Sequence, residues 1–151
     1  MSFEIKEDDP KYTKIAYVSK DIYYGNNKLK FGERNEPEDD QSSGWFFFSD
    51  ELFTRGNFTA ADFVGISYIE VCYRSYSFLL LIYDFPVGCD IQIAHSRYDR
   101  KRLTVFDNES RLEIDLKKYL QLPIGTPLSQ ALLPIPPSKG FFESLFGKTR
   151  K

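Results

Sequence analysis

The sequence contains few of the residues on which most enzymes and metalloproteins depend. Of its 151 residues, one is histidine, one is tryptophan and two are cysteines. A single histidine excludes any metal site built from several histidines, and Cys72 and Cys89 lack the CxxC spacing of zinc and redox motifs. No GxxxxGK[ST] phosphate loop, dinucleotide fingerprint or GxSxG nucleophile elbow is present. These absences predict a non-enzymatic protein without cofactor or metal, and His95 is expected to be partly buried at a strand end.

Long apolar runs, an export signal and a charge excess are also missing. The longest apolar run, residues 78–83, is about a third of the ~20 residues that a membrane span requires. The N-terminus is acidic and lacks the basic start and apolar run of a secretory signal. We therefore predict a cytoplasmic protein whose two cysteines are reduced and buried. The net charge of −2 neither requires nor excludes nucleic acid, so electrostatic arguments must be local.

Aromatic residues are abundant, with 14 Phe and 10 Tyr. The length fits one domain that buries its own core. We predict an α+β fold, a single domain with a small, mostly antiparallel sheet and a few short helices. The domain is expected to span residues 1–133, and residues 134–151 to form a Pro-rich linker and an amphipathic C-terminal tail. Three roles for the tail stay open: docking on the domain, contact with a membrane surface, or contact with a partner.

Two local patterns predict strands in the first half of the chain. Residues 15–19 and 29–31 are β-branched and aromatic, and the turn cluster at 25–27 predicts that they form a hairpin-like pair. Residues 45–48 predict a strand that is apolar on both faces, because strand side chains alternate. Such a strand either is central and covered on both sides or keeps one face for a partner.

Further along, the patterns alternate between strand and helix. A capping-box pattern occurs at residues 59–62, but we predict that residues 64–73 are a strand or extended segment ending near Cys72. Residues 75–83 predict a short buried helix. Residues 90–94 and 102–106 alternate as strands do, and predict a β-hairpin with a basic tip between them.

The most distinctive stretch is residues 42–51, Ser-Ser-Gly-Trp-Phe-Phe-Phe-Ser-Asp-Glu, which follows the acidic segment 33–40, Glu-Arg-Asn-Glu-Pro-Glu-Asp-Asp. The acidic segment is either a solvated loop held open by charge repulsion, or a rigid acidic edge that steers and binds a basic cleft. Trp45 is either a core residue or the apolar anchor of an interface.

These residues resemble the bacterial Immunity-33-like family. Residues 16–22 resemble the family's opening strand, residues 34–37 its Arg-Glu-x-Pro segment, and residues 43–51 its Ser-Gly-Trp-x-Phe-Phe-Ser core. Residues 84–88 resemble its Pro-hydrophobic-Gly turn, so that the match covers about residues 15–95. The chain has Phe46 where the family tends to have arginine, and it lacks the glycine that the family has before Asp-Glu.

The resemblance implies an intracellular immunity protein that binds a cognate bacterial toxin domain and occludes it stoichiometrically. Combined with the acidic and aromatic segments, it predicts a set of partner-binding residues: Glu33, Arg34, Glu36, Glu38, Asp39, Asp40, Trp45, Phe46, Asp50 and Glu51.

Other functions stay open. The leading alternative is a non-enzymatic regulatory or ligand-binding module outside toxin systems. A carboxylate-dependent hydrolase would require a concave pocket that holds two close acids. Nucleic acid is not expected as a partner, because Asp99 interrupts a basic hairpin tip of only four cationic side chains, namely Arg97, Arg100, Lys101 and Arg102.

Overall fold

A computed structural model describes residues 6–136 of the chain. In this part, the strands are β1 (Ile15–Ser19), β2 (Leu29–Arg34), β3 (Ser42–Ser49), β4 (Phe63–Ser67), β5 (Asp90–His95) and β6 (Leu103–Asp107). The α-helices are short: α1 (Lys20–Tyr23), α2 (Asp50–Arg55), α3 (Tyr68–Arg74) and α4 (Leu116–Tyr119). Short 3₁₀ helices cover Pro10–Thr13, Ala60–Asp62, Ser77–Ile82 and Leu128–Ala131.

The strands form one six-stranded sheet in the order β4-β1-β3-β2-β5-β6. Strands β1 and β3 are parallel, and every other neighbouring pair is antiparallel. The predicted α+β class with a mostly antiparallel sheet is confirmed. The predicted hairpin between the first two strands is wrong, because β3 lies between β1 and β2. A strand that is apolar on both faces is best covered at the centre of a sheet, and β3 takes that position.

The two faces of the sheet carry separate apolar clusters. Trp45 and Phe47 of β3 point into the main core, where α3 and the 3₁₀ helix Ser77–Ile82 cover the sheet. Phe48 points to the opposite face and packs with Phe31 and with Leu52 of α2 in a smaller aromatic cluster. The strand of residues 45–48 is therefore central in the sheet, and Phe46 is the one of these residues that is only half-buried.

The segment after β4 differs from its prediction. Residues 68–74 form helix α3 rather than an extended strand. The side chain of Ser67 accepts a hydrogen bond from the backbone N–H of Glu70, 3.4 Å, which caps the helix. Tyr68, Val71 and Cys72 are buried at helical spacing, and this burial outweighs the strand preference of the aromatic and β-branched residues.

The predicted β5–β6 hairpin is confirmed. Its tip is held by Glu113, a carboxylate only 2% exposed. Glu113 accepts hydrogen bonds from the Ser96 hydroxyl, 2.8 Å, and from the Arg97 backbone N–H, 2.8 Å. Residues 75–83 contain the expected short buried helix, here a 3₁₀ helix.

The predictions about the C-terminal tail and about membrane spans can be compared with the structure only for residues 6–136. The amphipathic tail, residues 141–151, lies outside the described residues, as does most of the Pro-rich linker. Between residues 6 and 136, no helix is long and apolar enough to cross a membrane.

Candidate functional site

The sheet places opposite charges at its two ends. The loop between β2 and β3, residues 35–41, lies at one end and contains four carboxylates and no basic side chain. Strand β5 begins beside Glu33, near the end of β2, and runs antiparallel to β2. The tip of the β5–β6 hairpin therefore lies at the other end of the sheet. We call the surface formed by residues 35–41, Glu33, Asp90 and residues 107–109 the acidic end. The four loop carboxylates, all exposed, are Glu36, Glu38, Asp39 and Asp40.

The acidic loop is fixed to the sheet at both of its ends. The backbone N–H of Asn35 donates to the carbonyl of Gly44, 2.8 Å, and that of Ile15 donates to the carbonyl of Gln41, 2.7 Å. Within the loop, Asp39 accepts from the backbone N–H of Gln41, 2.8 Å. Gly44 has φ +85°, which favours glycine. The loop therefore presents exposed charges on a backbone that is hydrogen-bonded at both ends, which is compatible with either alternative, a solvated loop or an edge that binds a partner.

Arg34 is half-buried at this end, and its guanidinium is hydrogen-bonded to the protein's own backbone. Its guanidinium donates to the carbonyls of Tyr83 and Phe85, both at 2.8 Å, and to the carbonyl of Ser43, 3.1 Å. It also lies 5.1 Å from the centre of the Tyr83 ring. All of these contacts are within the protein and give Arg34 a structural role, while the prediction that it binds a partner stays a prediction.

Trp45 is also internal, with 0% of its surface exposed. Its indole N–H donates to the Tyr83 carbonyl, 3.0 Å, and its ring stacks on Phe47 with centroids 5.3 Å apart. A side chain with no exposed surface offers no contact area to a partner. Trp45 therefore takes the core role, and the anchor role is not retained.

Phe46 points to the opposite face of β3 and is only half-buried. Its ring stacks on Tyr17 of the neighbouring strand, with centroids 4.9 Å apart. It also packs nearly perpendicular to the ring of Phe63, with centroids 5.4 Å apart. Because Tyr17 is also half-buried, the two rings form an aromatic shelf on this face. Of the predicted aromatic contacts, Phe46 is the one that the structure leaves accessible.

Two carboxylates continue the same row across the sheet. Glu33 is the cross-strand partner of Phe46 and, on its other side, of Asp90. Desolvation raises the pKa of Glu33, and the nearby charge of Asp90 raises it further. Burial also raises the pKa of Asp90, although a hydrogen bond from the Asn108 side chain opposes the shift. Other charged groups act on Asp90 as well: Asp107 and Glu109 raise its pKa and Arg111 lowers it.

A cavity of about 770 Å³ opens beside Asp90. Three carboxylates line it and no basic side chain does; they belong to Asp90, Asp107 and Glu109. One carboxylate oxygen of Asp90 is buried without a hydrogen-bond partner. This cavity meets the minimum requirement of the hydrolase alternative, a concave site with neighbouring acids.

Asp50 and Glu51 lie at the opposite end of β3 from the acidic loop. The strand has eight residues, which corresponds to roughly 26 Å at ~3.3 Å per residue. Glu51 accepts a hydrogen bond from the Asn27 side chain, and Asp50 lies 3.9 Å from the Lys30 ammonium. The structure therefore separates these two acids from the other predicted partner-binding residues.

The remaining chemically reactive side chains do not form a site. His95 lies at the end of β5, as predicted, but it is exposed rather than partly buried. Cys72 and Cys89 are free and buried, as predicted, and burial raises the pKa of each thiol to about 12. Among residues 6–136, no group of three or more His, Cys, Asp or Glu side chains is arranged to hold a metal ion.

Sequence reasoning missed Tyr17 and Asp90. Both lie in segments that were predicted as strands, but the sequence contains no signal for which strands are neighbours. The row of Tyr17, Phe46, Glu33 and Asp90 exists only because β3 inserts between β1 and β2.

The chain matches no family model, no curated protein and no solved structure. The resemblance to the Immunity-33-like family therefore stays a prediction from its short motifs.

Proposed function

We propose that this protein is an immunity protein that binds a cognate bacterial toxin through the acidic end and occludes the toxin's basic cleft stoichiometrically. The observation that supports the proposal best is the loop 35–41, with four exposed carboxylates on a backbone fixed by hydrogen bonds at both ends. A preorganised loop loses little conformational entropy on binding, so more of its interaction energy contributes to affinity.

Two parts of the surface contribute to binding, the acidic loop 35–41 and the aromatic shelf of Tyr17 and Phe46. The loop carboxylates steer association with a basic surface, which can raise the rate by about 10–10³-fold at low salt. The half-buried rings of Tyr17 and Phe46 then supply apolar contact on the sheet face that also carries Glu33. Aromatic residues are enriched among the contacts that dominate binding energy. Occlusion needs no catalytic group on the immunity protein.

Co-expression tests this proposal. The toxin encoded beside this gene is expressed in a sensitive host with and without the protein, and the pair is then purified through a tag on the toxin. We expect rescue of growth and co-purification in a fixed ratio. Absence of both, with every adjacent toxin candidate, would refute the proposal.

A ligand-binding module outside toxin systems is the second candidate, and the cavity of about 770 Å³ favours it because its volume suits a small molecule. A hydrolase would use the same cavity. A thermal-shift screen of small cations and amines distinguishes the candidates: a saturable rise in Tm that Asp90→Asn abolishes favours the ligand-binding module, and turnover of a compound favours the hydrolase.

A further inference from the structure

The cross-strand pair of Glu33 and Asp90 is unfavourable in the free protein. The two residues are directly opposed in the antiparallel β2–β5 ladder, where like charges destabilise a sheet. Neither carboxylate has an ion-pair partner among the described residues. Burial and the nearby charge of Asp90 raise the pKa of Glu33. Burial also raises the pKa of Asp90, although a hydrogen bond from Asn108 and the charge of Arg111 oppose that shift.

The surroundings of the pair match one kind of cation. Phe46 is the neighbour of Glu33 on the same face, and its ring is held in place by Tyr17. A guanidinium stacks on aromatic faces and donates two parallel hydrogen bonds to carboxylates, whereas an ammonium is a strongly hydrated point charge without a planar face. The cavity beside Asp90 is lined by two further carboxylates, Asp107 and Glu109, and by no basic side chain.

We propose that the acidic end binds an arginine side chain of the partner protein, whose guanidinium lies across the Glu33–Asp90 pair and against the ring of Phe46. This inference rests on the proposed function for the identity of the partner. The partner's arginine removes the repulsion within the pair, so the contact that costs stability in the free protein becomes favourable in the complex.

The test uses two independent measurements on the full-length protein: affinity for a hexa-arginine peptide at low ionic strength, with hexa-lysine as the matched cation, and the Tm of each free variant. Glu33→Gln and Asp90→Asn remove one charge of the pair. Asp8→Asn is the control, since it removes the same charge from an exposed side chain outside the acidic end.

We expect each pair variant to bind hexa-arginine at least about tenfold more weakly than wild type, because a charged hydrogen-bonded contact is lost. We expect the Tm of each to rise by about 1–4 °C, because like-charge repulsion is relieved. Asp8→Asn is expected to weaken binding by less than about threefold and to leave Tm unchanged, in keeping with a screened surface charge. Wild type is expected to prefer hexa-arginine to hexa-lysine, and Phe46→Leu to lose that preference.

Two results would overturn the inference. One is that the pair variants and Asp8→Asn bind hexa-arginine with equal affinity, which would leave only diffuse electrostatic attraction. The other is a fall in Tm for both pair variants, which would make the carboxylates structural. Because the peptides replace the toxin, either result is separable from failure of the co-expression test.

Discussion

Replacing Arg34 by methionine tests the assignment of this residue to the interior. Methionine keeps an apolar stem against Trp45 but removes the guanidinium and its three hydrogen bonds to the carbonyls of Ser43, Tyr83 and Phe85. Hydrogen bonds to a charged group contribute about 1.5–3 kcal/mol each. The carbonyl of Tyr83 keeps the Trp45 indole as a donor, so two bonds are lost without replacement.

Arg34→Met is therefore expected to reduce the free energy of unfolding by about 3–6 kcal/mol. That is a large fraction of the ~5–15 kcal/mol by which a domain is stable. For a chain of this length it corresponds to a fall in Tm of about 6–24 °C, at ~2–4 °C per kcal/mol. Arg34→Lys is expected to lie between wild type and Arg34→Met, because an ammonium cannot reproduce the planar guanidinium fork.

Urea unfolding followed by circular dichroism measures these values, and the fluorescence of Trp45, the only tryptophan, provides a second probe. Arg100→Met serves as the control, since Arg100 is exposed at the hairpin tip and its loss is expected to change stability by less than ~0.5 kcal/mol. A loss below about 1 kcal/mol for Arg34→Met would refute the interior role. If Arg34→Met instead binds the toxin more weakly while its stability is unchanged, Arg34 contacts the partner.

Three further predictions concern stability and reactivity. Gly44→Ala is expected to cost at least ~1 kcal/mol more than Gly88→Ala in urea unfolding, because both glycines have positive φ but only at Gly44 does an added Cβ collide with a neighbouring carbonyl; equal losses would contradict this. Burial raises the pKa of Asp21, but its hydrogen bonds from Ser and Asn side chains outweigh burial and leave the pKa lowered. Its carboxylate therefore stabilises the fold near neutral pH and loses this effect as pH falls through the lowered pKa. Asp21→Asn should be less stable than wild type only above that pKa, and a pH-independent difference would contradict the assignment. Burial raises the pKa of both thiols to about 12, so a thiol reagent at neutral pH should label Cys72 and Cys89 only after unfolding, and rapid labelling of the native protein would be the contrary result.

The central strand was predictable from sequence, and its neighbours were not. Residues 45–48 are apolar at every position, which favours a strand with neighbours on both sides, and of the four only Phe46 stays half-buried. The turn at residues 25–27 shows that the chain reverses there, but pairing depends on contacts distant in sequence. Helix α3 was missed for a related reason, since Tyr68 and Val71 favour strands locally while the core buries them at helical spacing.

The candidate site was predictable in part. The composition of residues 33–40 predicts an acidic segment, and its residues 36–40 are the exposed carboxylate-rich part of the loop, because a dense run of carboxylates cannot be buried. The predicted strand ended at residue 31, so the sequence did not show that Glu33 and Arg34 end β2 on opposite faces. The opposition of Glu33 and Asp90 follows from register alone. The separation of Asp50 from the loop follows from the length of the strand between them.

The association rate between this protein and any toxin that it neutralises in the co-expression test, measured as a function of salt, tests the central claim most directly. The comparison is between wild type and the triple variant Glu36→Lys, Glu38→Lys and Asp39→Lys, whose side chains are exposed. If the acidic end steers binding, the wild-type rate falls by about 10–10³-fold from low to high salt, and the variant associates slowly with little salt dependence. Equal rates and equal salt dependence for the two proteins would contradict the account.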